Sequence, residues 1–300
     1  MTFIIYLSMY DYVLLCCCVL LYSVCPIIFN MSYYIQYVLN PNPALNFSMQ
    51  AQLYVNHDRP VHHRLYAASR GAPLKPIVEN EVQYSSFYYK GGAKMEELRD
   101  RALYDIQYHH DPESCIVYMA GGGLPSLTRR DIDKSWFRGV WYEEVIFVEE
   151  EDAAVERMNT LIDNIDLSIR LTGATPCFST IVPMSLDIWN NIRLDQGKTH
   201  YLLHHNHYVD MQHFLINAII RINTHIISVN VKNQVATPHM FDQVSTCLHG
   251  SERIHYERFI DGVHLNNNFS IKCAKKLMKA INHNTYVLGR ALGHNLVFQG

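Results

Sequence analysis

The chain has 300 residues, 49% hydrophobic and 18% charged, a globular balance that excludes disorder and fibrous structure and fits one large or two small domains. Its 25 lysines and arginines against 28 acidic residues give a formal net charge of −3, so the whole chain is not an electrostatic sponge for nucleic acid. Glycine is sparse at 14 residues, and neither a P-loop nor a GxGxxG fingerprint occurs, which argues against the nucleotide folds that cradle phosphates on Gly-rich loops.

Residues 1–30 carry a single charged side chain, Asp11. The run at 12–29 is uncharged and about the minimum length that crosses a bilayer, so membrane association through it is one expectation. Asp11 and Pro26 oppose a spanning helix, since an Asp at mid-bilayer costs ~2.5 to 3.5 kcal/mol. A cleaved signal lacks its basic start and small-x-small cleavage site. The plainer reading is an upstream extension, with the functional protein beginning at Met31. Cys16, Cys17 and Cys18 become acylation sites if the segment meets a cytosolic interface. The turn chemistry of Asn40-Pro-Asn-Pro43 and Asn56-His-Asp-Arg-Pro60 marks 31–56 as a linker. A folded domain is expected over 57–285 and a tail over 286–300.

Within that domain, residues 63–68 read as a short strand. Residues 94–107 set Met95, Leu98, Ala102, Leu103 and Ile106 at helical spacing. Residues 115–119 are a bare apolar run ending in Ala120-Gly121-Gly122-Gly123, the pattern of a buried strand and a tight loop. Residues 141–148 read as a further strand. Residues 153–171 place Val155, Met158, Leu161, Ile162, Ile165 and Ile169 on one helical face. The spacing then predicts a strand over 174–184, a helix over 213–223, a strand over 226–231 and a closing amphipathic helix over 270–281. Strands alternating with helices predict an α/β fold, a three-layer, flavodoxin-like parallel sheet with helices on both faces. Ligands of such folds sit beyond the carboxyl ends of the strands. That directs attention to Ser69-Arg-Gly71, the Gly121 loop, Pro183-Met-Ser185 and the segment before the last helix.

Cys115, Cys177, Cys247 and Cys273 are scattered singly and no CxxC occurs, as expected of buried thiols in an intracellular reducing compartment. His200, His204, His205 and His207 have near-metal spacing but no HExxH, and a polar surface segment is the simpler reading. The acidic run 149–152 reads as the solvated first turn of the helix that follows. Arg99, Arg101, Arg129 and Arg130 are candidates for an anionic partner, with ordinary surface pairing as the alternative. The most informative short segment is Phe259-Ile-Asp261-Gly262-Val263-His264-Leu265. A carboxylate three residues before an imidazole in a tight loop can fix its Nδ1, leaving Nε2 to take a proton from a hydroxyl nucleophile.

That segment, followed by a final helix, resembles the last block of the SGNH/GDSL hydrolase superfamily, and other segments fall in the family's order over residues 60–284. Leu65-Tyr-Ala-Ala-Ser69-Arg-Gly71 stands where the family carries its nucleophilic serine, with Ala67-Ala68 in place of Gly-Asp. Tyr88-Tyr-Lys-Gly91-Gly92 resembles the block that contributes an oxyanion glycine, with Gly92 the matching residue. Val117-Tyr-Met-Ala-Gly121-Gly122-Gly123-Leu124 occupies the place of Gly-x-Asn-Asp, so Gly123-Leu124 replace the oxyanion asparagine and its aspartate. The 121–130, 174–177 and 183–189 segments are also similar to divergent SGNH-like proteins of large DNA viruses and mobile elements.

The resemblance implies a hydrolase of small-molecule, lipid or glycan esters. Ser69 would be the nucleophile, His264 the base and Asp261 its orienter, with Gly92, Gly121, Gly122 and Gly123 as oxyanion donors and no metal or cofactor. Loss of the asparagine would cost ~2.7 to 4 kcal/mol of transition-state stabilisation. The alternative is a non-catalytic module that binds a glycan, a protein or, less in keeping with the charge, nucleic acid in the old cleft.

Overall fold

The computed structural model describes residues 60–292 apart from 129, 138–139, 148, 197–204 and 249–250. The apolar segment 1–30, the expected linker, His200 and His204 lie outside the described residues, as do the side chains of His205 and His207.

Four strands form one parallel sheet: β1 (His62–Ala67), β2 (Ser85–Tyr89), β3 (Cys115–Met119) and β6 (Thr175–Phe178), in the order β2-β1-β3-β6. β3 is buried along its whole length, which is why it reads as an unbroken apolar run rather than an alternating one. Helices cover both faces. On one face Tyr66 of β1 donates to Asp105 of α2 (Met95–Ile106). On the other, His63 and Tyr118 bond Thr285 and Asn284 of α7 (Asn267–Ala291), while α1 (Lys75–Glu81) packs against α7. The α/β sandwich expected from the sequence is therefore present, with β2 an added edge strand that the periodicity does not reveal.

The remaining elements complete the layers. A short helix α3 (Gly123–Leu127) follows β3, then an antiparallel hairpin of β4 (Arg130–Phe137) and β5 (Val140–Phe147). The strand expected over 141–148 thus exists but belongs to this hairpin, not to the main sheet. Helix α4 (Glu151–Arg170) starts with Glu151 and Asp152 and ends with Arg170, charges that suit its dipole. Arg221 binds both first-turn acids, and Arg157 binds Glu149. After α5 (Leu186–Asp195) comes α6 (His205–Lys232), then a second hairpin, β7 (Ser245–Leu248) with β8 (Ser251–Ile254), and α7.

Three expectations need correction. Residues 226–231 are not a strand but the end of α6, because Leu215, Ala218, Ile219, Ile222, Ile226 and Val229 keep helical spacing and are all buried. Packing on α4 and β6 overrides the strand propensity of their β-branched side chains. The strand over 174–184 ends at Phe178. Beyond it the chain leaves the sheet, and amide side chains of α6 take the place of a neighbouring strand. Asn230 bonds both N–H and C=O of Phe178, Asn223 both of Ile181, and Gln212 the N–H of Leu186 and C=O of Met184. Finally, α7 runs to Ala291, past the helix end expected at 281 and into the stretch expected as a tail.

Candidate active site

Strand β1 ends at Ala67, and Ser69 opens a single 3-10 turn, Ser69–Gly71, at the carboxyl edge of the sheet. Small residues permit this turn. A Cβ on Gly71 would fall 2.4 Å from Ala67 Cβ, and one on Gly121 only 2.6 Å from the backbone nitrogen of Ala68. The loops after β1 and β3 therefore touch backbone to backbone, with Ala67-Ala68 and Gly121 as the contact.

The last strand-like segment is closed by a bridge between Phe259 and Leu265, with the N–H of Ile260 donating to the carbonyl of His264. Inside the loop, Asp261 Oδ1 accepts from the backbone N–H groups of Val263 and His264. Its Oδ2 lies 2.7 Å from His264 Nδ1, and His264 Nε2 lies 2.9 Å from Ser69 Oγ. Gly262, at φ +80°, presses on Ser185 O and Trp189 N at distances that leave no room for a Cβ. The loop is thus docked on the start of α5.

Burial pushes the Asp261 carboxyl up, but the His264 backbone N–H, the His264 ring and the Val263 N–H outweigh it and hold the group below its ordinary value. An ionised Asp261 only accepts hydrogen bonds, so the network assigns the proton of the neutral ring to Nδ1 and leaves the Nε2 lone pair facing the Ser69 hydroxyl. His264 keeps 41% of its side-chain surface exposed, so the ring meets solvent as well as the serine.

Arg70, the residue after the serine, secures this arrangement. Its Nε donates to Val263 O at 2.8 Å, and its two terminal nitrogens to Val182 O at 2.5 Å and Pro183 O at 2.7 Å. Burial lowers the guanidinium to about 10, which leaves it charged at neutral pH.

Ser69 and His264 stand in the wall of a cavity of about 500 Å³, together with Gly121, Gly122 and Gly123. Gly122, at φ +81°, caps α3, and its Cβ position is filled by the backbone of Lys94 and Met95. The N–H groups of Gly123 and Leu124, which open α3, have no carbonyl partner within the helix. Helix α3 itself is pinned from below: Ser126 Oγ accepts from Met95 N and donates to Glu96, while Arg157 binds the carbonyls of Ser126 and Leu127.

Comparison with solved structures decides the fold. A protein from Bacteroides fragilis described as an acylhydrolase superposes with a TM-score of 0.50 at 10% identity, over 78% of this chain and 93% of its own. The fold is that of the SGNH hydrolases. A member of the lipolytic G-D-S-L family from Veillonella parvula (TM-score 0.46, 10% identity, 74% of this chain and 98% of that one) is also similar. So is a GDSL-like lipase from Bacteroides thetaiotaomicron (TM-score 0.46, 8% identity, 74% and 88%). No protein-family model and no curated protein sequence matches the chain.

Within the SGNH fold, the structure brings together Ser69, Asp261, His264, Gly121, Gly122 and Gly123. It does not bring Gly92 to them. A turn in which Ala93 N–H bonds Lys90 O leaves Gly92 exposed at φ +69°, away from the cavity wall. The backbone that reaches the glycine loop from that side is Lys94-Met95, and Met95 N is already taken by Ser126. Arg70 is the residue that sequence reasoning passes over, since its partners are backbone carbonyls more than a hundred residues away. Arg99 pairs with Asp100, and Arg101 with Asp105, so these two are engaged on the surface of α2.

Proposed function

We propose that the chain is an ester hydrolase that works through Ser69, His264 and Asp261. The continuous relay of 2.9 Å and 2.7 Å opening on one cavity is the observation that carries this reading. Ser69 Oγ attacks the ester carbonyl carbon and passes its proton to His264 Nε2. Asp261 holds the imidazolium that results. Collapse of the tetrahedral intermediate breaks the bond to the alcohol, which leaves with the proton from Nε2. A water, deprotonated by the same nitrogen, then attacks the acyl-serine and releases the acid.

The oxyanion falls to backbone N–H groups of the 121–123 loop, since Gly123 brings no side-chain donor and Gly92 faces outward. This thin oxyanion hole favours a second reading, a binding module that has kept the fold without the rate. Hydrolysis of short p-nitrophenyl esters by the full chain, beside Ser69→Ala and His264→Ala, separates the two. Because such a triad acts as a unit, each variant should lose nearly all activity and the losses should not add. Hydrolysis unchanged in Ser69→Ala overturns the serine mechanism, and a folded but inert wild type favours the module.

A further inference from the structure

We infer that the cavity beside Ser69 is an acyl-chain site, so that the preferred substrate is an ester of a medium-to-long aliphatic acid rather than an acetylated carbohydrate. The inference rests on the ester-hydrolase reading above and adds its substrate class.

The cavity is far larger than the reaction needs. At about 500 Å³ it lies within the ~300 to 1,000 Å³ of pockets that enclose a drug-sized ligand, and an acetyl group would leave most of it wet. Its walls are aliphatic: Leu74, Met95, Met119, Ile181 and Val182 all line it and all are buried. Among the described residues no Phe, Tyr, Trp, Asp, Glu or Lys lines it, so a sugar finds neither a phenyl or indole stacking face nor a carboxylate for its hydroxyls.

The buried hydroxyls that reach the wall are already engaged, and the lining amide, Asn267, is on an exposed residue rather than in the buried part of the cavity. Ser179 donates to Met119 O, Thr180 to Pro238 O and Ser270 to Leu265 O, while Thr180 also accepts from Phe241 N. The one guanidinium, Arg70, is bound to three carbonyls. A sugar hydroxyl entering here would lose water without gaining an equivalent partner, whereas each methylene entering here gains by leaving water. Ile260, 63% exposed, extends this apolar wall to the rim.

The test is a series of p-nitrophenyl esters from acetyl to dodecanoyl, each below its micelle concentration, with the full-length protein. Each added methylene that enters the cavity should raise kcat/KM about three- to fourfold until the space is filled. Met240 lies buried in the wall, outside both the triad and the glycine loop. Met240→Trp should cut decanoyl-ester kcat/KM at least tenfold and leave acetyl-ester hydrolysis unchanged. Independently of catalysis, calorimetry should show decanoate, and not acetate, binding to the Ser69→Ala protein. Ser69-dependent hydrolysis that is flat or falling along the series, without decanoate binding, overturns the acyl site while leaving the hydrolase standing. Decanoate binding by a protein that hydrolyses no ester supports the site and overturns the hydrolase.

Discussion

Arg70 donates from Nε to the carbonyl of Val263 at 2.8 Å, so the residue that follows the serine holds the residue that precedes the histidine. Its other two bonds tie the same guanidinium to Val182 and Pro183. Three carbonyls from two loops are set by one planar fork, a task an ammonium cannot repeat because it is a point charge without that geometry. Arg70→Lys should therefore lower kcat by about ten- to a hundredfold with a smaller change in KM, the cost expected when a reacting group is misplaced by ~1 Å. The rate of labelling of Ser69 by a fluorophosphonate should fall in parallel. Wild-type kcat and labelling in Arg70→Lys would show that the loops hold the histidine without it.

Arg70 also shows what a sequence conceals. Its partners lie as far as 193 residues away and are backbone carbonyls, which every residue possesses and no pattern marks. Asp261 and His264 are legible because their partnership is local, and β3 because burial on both faces leaves an unbroken apolar run. The stretch after Phe178 is misread for the reason Arg70 is missed. Its backbone is satisfied by side chains of a distant helix, so its apolar composition looks like strand while its neighbour is α6. Gly92 fails differently, because order along the chain locates a turn without saying which way the turn faces.

Those amide side chains should be costly to remove. Asn223 is buried and closes both the N–H and the C=O of Ile181, at 2.6 and 3.0 Å. Asn223→Leu strands two buried backbone groups at ~1 to 3 kcal/mol each. Denaturant titration should show a loss of that order with the slope unchanged. Asn191, whose amide bonds only the exposed Asp187, is the control, and Asn191→Ala should stay within ~0.5 kcal/mol of wild type.

Gly123 meets a different limit. A Cβ placed there would fall 2.5 Å from Cδ1 and Cγ1 of Ile181, so a side-chain donor has no room at this position of the glycine loop. Gly123→Asn alone should destabilise the domain by ~1 to 3 kcal/mol through overpacking and give no gain in rate. Combined with Ile181→Ala, which empties that space, the asparagine should raise kcat, up to the ~10²- to 10³-fold that one oxyanion donor supplies. The check is kcat on an acetyl ester for both single variants and the double. A double variant no faster than Ile181→Ala would show that the amide does not reach the developing charge.

The buried His63 sets a final, pH-dependent prediction. Thr285 Oγ1 donates to Ile281 O, so it can only accept from His63 Nε2, 3.0 Å away, and the neutral ring carries its hydrogen there. Nδ1 is buried without a partner, so protonation would bring a charge and an N–H into a site with no acceptor. Burial first, and the neighbouring His62 second, depress the ring to about 3. In the unfolded chain the same ring takes a proton near pH 6.5. Between these values the unfolded state binds more protons than the folded one, so stability rises with pH across the window. It is complete above about pH 6.5 and falls by up to ~1.4 kcal/mol per pH unit towards pH 3. His63→Leu removes the titrating ring and should flatten that limb. Unfolding free energies of both proteins from pH 4 to pH 7 provide the check, because carboxylates shared by the two cancel in the difference. Two parallel curves would mean that His63 accepts its proton in the folded state as readily as in the unfolded one.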